Sequence, residues 1–239
     1  MFFYNNMLYL IGLGISKENI TLGALESCKK CKILYLENYT SLGLSKNDLE
    51  KIFNKKIISV ERDFIERFDV NQAKNKDIGI LIYGDIFSAT THISLFLDCK
   101  KNNIKIKLVN SVSILTLIGN LGINLYNLGK VISVPFQENV NIINSLKVNK
   151  DMHTLFLLDL DPKNNKFVNI NEALKRLFKQ GMEDRLCIGI ERLGFKNERV
   201  VVRNAKELIK IKFDKYPQCL IVLGKLHFVE GEMLDNFKQ

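Results

Sequence analysis

The chain has 239 residues, 46% of them hydrophobic, which suits one large or two modest domains with real cores and excludes a disordered chain. Its 35 basic against 26 acidic side chains give a net charge of +9, an excess that can mark an anionic partner. However, 28 of the basic residues are Lys interspersed among Asn and Ile, so the reading is a solvated Lys-rich surface with no direct nucleic-acid contact.

The apolar start is interrupted by Asn5 and Asn6 and has neither a basic leader nor a cleavage site, so no targeting segment is expected. Residues 1–6 read as an extension, with Met7 a candidate start. MLYLIG from Met7 is the first strand, followed by a glycine turn. Gly12 and Gly14 form only GxG, and without a third glycine the dinucleotide-binding fingerprint is absent. Thr21 caps a helix running to about Lys32, and residues 33–37 form the second strand. A short helix over 44–53, a strand over 57–60 and a mostly polar helix over 63–74 follow.

Residues 78–83 are an unbroken apolar run of strand length, as expected of a strand buried on both faces of a parallel sheet. The run stops at Gly84-Asp85, and open α/β sheets bind ligands where such strands end. On spacing alone, an ordinary strand-to-helix turn and a ligand-binding loop both fit. A helix from Ile93 to Cys99 and a strand over 104–109 complete five strand and helix alternations, the pattern of a parallel sheet with helices on both faces. The texture changes at Ser111 to an apolar helix with glycines, and the boundary is drawn there: domain one is 1–110, domain two 111–239. Strands are expected at 131–135, 154–160, 186–190, 199–202 and 219–223, and helices at 171–180 and 204–212. The fold class is α/β, with an N-terminal parallel sheet flanked by helices and a C-terminal mixed sheet.

No run of 18 apolar residues reads as a membrane span. Five cysteines, at 28, 31, 99, 187 and 219, make an odd and scattered set that describes no disulfide framework, so reduced thiols and a cytoplasmic location are expected. The single CxxC of Cys28 and Cys31 lies in a helical pattern without a second pair or nearby His, so no metal is assigned. His92 and His227 lack a Ser or Cys partner pattern and read as structural or binding residues, and His153 as a structural one. Glu230 and Glu232 read as solvated carboxylates of a terminal helix. No general base is assigned.

Four segments together, YLIGLGISKENIT (9–21), GDIFSATTH (84–92), NSVSILTLIGNLGINLY (110–126) and IVLGKLHFVEGEML (221–234), resemble the diphthine synthase family, the S-adenosylmethionine-dependent methyltransferases of diphthamide biosynthesis. LENYTS (36–41), HTLFLLDL (153–160) and GIERLG (189–194) extend the resemblance over nearly the whole chain in family order. It implies two α/β domains of tetrapyrrole-methylase type with S-adenosyl-L-methionine in the cleft between them, and a homodimer. Carried over by position, the cofactor contacts fall on Ile15, Asp85, Ser88, Ser113, Ile114, Leu158, Leu193 and Cys219. The implied acceptor is the α-amino group of the 3-carboxy-3-aminopropyl-modified histidine of translation elongation factor 2. The lack of a long C-terminal extension leans towards relatives that stop at the trimethylated amine, not those that add a methyl ester.

Two positions depart from the family: Ile86 stands where Pro is usual, which implies a looser loop, and Cys219 stands where His is common. The rival readings are a methylase of a corrin-like tetrapyrrole and a non-catalytic basic module for RNA or the ribosome. The latter would need a contiguous Lys/Arg face.

Overall fold

Residues 6–238 are described by a computed structural model. The reading of residues 1–6 as an extension lies outside it except for Asn6, whose side-chain amide donates to the Lys74 carbonyl. The chain divides into two compact units, Met1–Leu115 and Thr116–Gln239.

In the first unit the strands are β1 (Met7–Gly12), β2 (Ile33–Glu37), β3 (Ile58–Val60), β4 (Ile78–Ile82) and β5 (Lys105–Val109). They form one parallel sheet in the order β3-β2-β4-β1-β5. Every residue of β4 is buried, as its unbroken apolar run requires. Side-chain alternation then builds a core on each face. Leu8, Leu10, Ile80 and Ile82 point to one, packed by Ile65, Val70, Ala73, Leu95 and Cys99; Tyr9, Ile11, Leu34 and Leu81 point to the other, packed by Ala24, Cys28, Leu49 and Phe53. The covering helices are α1 (Leu22–Lys30), α2 (Lys46–Phe53), α3 (Arg62–Glu66) and α4 (Ile93–Lys101). Thr21 and Ser45 cap α1 and α2 through side-chain oxygens.

The helix expected over 63–74 is broken. α3 ends at Glu66, and a 3-10 turn begins anew at Val70 because the Asp69 carboxylate accepts from the Asn71 N–H. The apolar helix expected from Ser111 is also short. α5 (Ile114–Leu117) passes into a 3-10 turn that stops at Gly122, whose φ of +82° leaves the right-handed helical region. Instead of another backbone, the Met233 side chain packs where a Gly122 Cβ would stand.

The second unit holds β6 (Ile132–Val134), α6 (Asn144–Asn149), β7 (Thr154–Leu158), a small hairpin of β8 (Leu160–Asp161) and β9 (Lys166–Phe167), α7 (Ile170–Lys179), β10 (Leu186–Glu191), β11 (Arg199–Asn204), α8 (Ala205–Leu208), β12 (Gln218–Val222) and α9 (Phe228–Asp235). The sheet order is β11-β10-β12-β7-β6, with β6 and β7 parallel and the other pairs antiparallel, so the sheet is mixed. α7 lays Ile170, Ala173, Leu174 and Leu177 against Phe156, Cys187, Leu220 and Val222. The strand expected over 154–160 breaks at Asp159, and the helix expected over 204–212 is a single turn followed by tight turns at Lys210 and Ile211.

Candidate functional site

The ends of β1, β4 and β5 form three adjoining loops, because these strands are neighbours in the first sheet. Gly14 and Gly84 exchange both backbone hydrogen bonds, at 3.1 and 2.9 Å, and both hold φ values that glycine favours, +70° and +78°. A Cβ on Gly12 would lie 2.9 Å from the Gly84 carbonyl oxygen, so the first two loops touch through backbone.

Asp85 binds the third loop to the second. Its Oδ1 accepts from the Ser111 N–H and the Asn110 side-chain amide, both at 3.1 Å. Its Oδ2 accepts from the Phe87 N–H at 3.3 Å and the Ser88 hydroxyl at 3.2 Å. Partial burial works against its charge, but these donors outweigh it and hold the carboxyl below its usual range. Asp85 is thus the tie that sets the loop, and its oxygens already receive four donors. Ile86, where a looser loop was expected, is wholly buried in the core, and its carbonyl accepts from the Thr90 hydroxyl.

Ser88 is half-buried beside Asp85, Ser113 is buried with its Oγ accepting from the Leu115 N–H, and Ile114 opens α5. Ile15 follows the first loop, its N–H donating to the Asn19 side chain. Five of the expected contact residues therefore lie on the three loops of the first unit. The other three lie at one end of the second sheet: Leu158 closes β7, Cys219 is near the start of β12 paired with Leu157 and Ile190, and Leu193 follows β10. All three are buried, and burial pushes the Cys219 thiol up to about 12.

Sequence reading missed Asn19, which accepts from Ile15 and Ser16 through its side chain and from the Ser111 hydroxyl through its carbonyl. The Ser16–Asn19 spacing of a capping turn was its only local signal. It also misjudged Glu230. Glu232 is exposed, but Glu230 is buried, and its carboxylate accepts from the N–H of Asn124 and of His227, the Asn127 amide and His153 Nε2. His153 Nδ1 accepts from the Gly224 N–H, so its proton sits on Nε2 and points at Glu230. His227 is exposed at the N-cap of α9.

Residues 7–209 match the family model described as Tetrapyrrole (Corrin/Porphyrin) Methylases, which defines the class: the chain is a methyltransferase of that superfamily. It is 35% identical over 251 residues to diphthine synthase of Methanocaldococcus jannaschii, covering 95% of this chain and 97% of that one. To diphthine methyl ester synthase of Dictyostelium discoideum it is 32% identical, covering 97% and 98%. A crystal structure of diphthine synthase superposes with a TM-score of 0.90 at 32% identity, covering 97% and 95%. The chain belongs to the diphthine synthase family.

Such an enzyme needs a methyl donor. Of the three loop glycines, Gly12 and Gly14 are closed in, whereas a Cβ on Gly84 would meet nothing nearer than Ser113 Cβ and the Val112 carbonyl at 3.9 Å. Gly84 is therefore the least crowded of the three, in ordinary contact with backbone and the small Ser113 side chain, a lining that fits a ligand held through backbone groups and a few small hydroxyls. Among the described residues no three His, Cys, Asp or Glu side chains gather as metal ligands, and no helix is long and apolar enough to cross a membrane.

Proposed function

We propose that the methyl donor is S-adenosylmethionine, held at Ile15, Asp85, Ser88, Ser113 and Ile114 of the first unit and at Leu158, Leu193 and Cys219 of the second. The domains are read as 1–110 and 111–239. The acceptor is the α-amine of the 3-carboxy-3-aminopropyl histidine of elongation factor 2. The observation that carries this reading is the near-full-length similarity to both diphthine synthases and diphthine methyl ester synthases. S-adenosylmethionine supplies a methyl group already activated on a sulfonium, so displacement requires no nucleophilic side chain. The chain's work is position, which accounts for about 7–11 kcal/mol of barrier lowering in well-oriented reactions. Asp85 keeps the second and third loops in register, Gly84 gives the close approach, and Ser88 and Ser113 offer polar contacts to the methionine portion. Burial of the acceptor ammonium favours its neutral, attacking form.

The protein acts in the cytoplasm as a homodimer. Leu125, Tyr126, Phe228 and Val229, large apolar side chains left exposed, support an interface in the second unit. Light scattering at micromolar concentration tests it, and a mass near 27.5 kDa defeats it. The activity is tested with radiolabelled S-adenosylmethionine and elongation factor 2 with and without the modified histidine, followed by mass analysis of the histidine peptide. Label on the modified form alone is expected, and the number of methyl groups separates the two kinds of relative. Equal labelling of the unmodified factor, or labelling of a tetrapyrrole and neither form, overturns the reading.

A further inference from the structure

Glu37 ends β2 and His92 caps α4, one residue past the 84–91 loop. Both side chains are fully buried, with His92 Nε2 3.9 Å from Glu37 Oε2. Among the described residues, neither Glu37 Oε2, nor either ring nitrogen of His92, nor the neighbouring Tyr39 hydroxyl has a hydrogen-bond partner. The other Glu37 oxygen accepts from the Thr40 hydroxyl. The Tyr39 ring centroid lies 6.3 Å from that of His92, and the Arg62 guanidinium lies 5.0 Å from the Tyr39 ring. The titratable and charged groups acting on the cluster are Tyr39 after β2, Arg62 and Glu66 of α3 and Tyr83 after β4, with Thr40 and Thr91 beside them.

Two fully desolvated groups this close, with unmet lone pairs, are far less costly as a neutral acid and a neutral base than as two ions. We propose that Glu37 and His92 are a positioning pair that holds one proton, on the carboxyl. Buried against each other without an ion to solvate, the neutral pair packs the start of α4, and with it the 84–91 loop, onto the end of β2. The proposal rests on reading that loop as part of the methyl-donor site.

Burial pushes Glu37 up to about 7, against Thr40, the Tyr39 backbone and Arg62. Burial likewise pushes His92 down to about 4, against the nearby Ile86 carbonyl, which is not in hydrogen-bonding geometry. Neither shift is set by the other partner. With ordinary values of 4.5 and 6.5, the unfolded chain between those pH values carries one proton on the imidazole, and the folded chain carries one on the carboxyl. Folding moves the proton without net uptake, so the intact pair adds no pH dependence there.

Removing one partner exposes the other's slope. In Glu37→Gln only His92 titrates; its lowered folded value contributes stability that is present above about 6.5 and is lost as pH falls towards 4. In His92→Gln only Glu37 titrates; its raised folded value contributes stability that is present below about 4.5 and is lost as pH rises towards 7. Urea unfolding of wild type and both variants from about pH 4.5 to 6.5 measures this, each variant against wild type. The folding constant of Glu37→Gln should rise relative to wild type, and that of His92→Gln should fall, each by up to about tenfold per pH unit. Parallel profiles overturn the placement of the proton on the carboxyl.

Calorimetry with S-adenosylhomocysteine at about pH 6.5 tests positioning. Both His92→Ala and Asp85→Ala should bind about tenfold or more weakly, a loss of roughly 1.4 kcal/mol. Loss in Asp85→Ala with wild-type affinity in His92→Ala overturns the positioning role and leaves the site standing. Wild-type affinity in both removes the loop from the site, and the pair's role in binding falls with it.

Discussion

Replacing Glu230 by Ala should be among the most damaging single changes in the second unit. The carboxylate accepts at 2.9 Å from Asn124 N, 2.8 Å from His227 N, 3.2 Å from His153 Nε2 and 3.3 Å from Asn127 Nδ2. The His153 side chain is fully buried and its tautomer is fixed by Gly224, so its Nε2–H cannot turn to water when the acceptor is removed. An unsatisfied buried donor costs about 1–3 kcal/mol, and a lost cap about 0.5–2. With the further bonds largely replaced by solvent, the sum is about 1.5–5 kcal/mol, or roughly 3–20 °C in Tm at about 2–4 °C per kcal/mol. Glu230→Gln should lose about 1–3 kcal/mol, because its carbonyl can serve one pair of donors while its NH2 faces the other.

Burial opposes the charge of Glu230, but the N–H groups of His227 and Asn124 and the His153 ring outweigh it and hold the carboxyl below its ordinary value of 4.5. Its stabilisation is therefore present above about 4.5 and lost as pH falls through the lower folded value, so wild type and Glu230→Gln should converge in acid. The chain has no tryptophan, so denaturant unfolding is followed by far-UV circular dichroism. An Ala variant within about 1 kcal/mol of wild type would refute this account of the buried donors.

Asp85→Ala should lower S-adenosylhomocysteine affinity about 10–100-fold by releasing Ser111 and Asn110 from the second loop, as read by calorimetry. Gly14→Ala should destabilise markedly, since its φ is +70° and its Cβ would lie 2.3 Å from Asn19 Cβ, whereas Gly119→Ala meets nothing within 4 Å and should change stability by about 1 kcal/mol or less. Thermal melts of the two variants make that comparison. All five cysteines are buried, and burial pushes their thiols up to about 11 at Cys99 and about 12 at the other four. A thiol reagent at about pH 8 should react with almost none of them in the native protein and with all five on unfolding.

The strands of the two five-stranded sheets were legible because they are short apolar or alternating runs bounded by turns, and β4 was the plainest since both of its faces are buried; the two-residue strands of the β8–β9 hairpin carry no such run and were not expected. The long helix expected after Ser111 was not realised, because apolar periodicity carries no mark of the backbone reversal at Gly122 or of the Met233 side chain that fills its missing Cβ. Gly84-Asp85 was legible as a strand-end turn. That Asp85 works on Ser111 and Asn110 was not, as those partners lie on the loop after β5, which β1 separates from β4 in the sheet. Glu230 shows the same limit. The His227–Glu230 spacing of a cap is local, but burial is decided by Asn124 and His153, which are 106 and 77 residues away.

The placement of β1 between β4 and β5 sets when the first unit can form on the ribosome. Leu8 pairs with Ile78 and Met7 with Lys105, and β1 has no earlier partner in the sheet order. The MLYLIG segment is thus synthesised before either partner: it must remain unpaired until about 70 further residues bring β4, and one of its edges stays open until about 30 more bring β5. At about 5–20 residues per second that interval is several seconds, during which an apolar strand with open hydrogen-bonding edges is available to chaperones or to another nascent chain. The burden of folding this half therefore falls on the interval between synthesis of its first strand and its last, and a pause in translation before Lys105 would lengthen the most aggregation-prone stage.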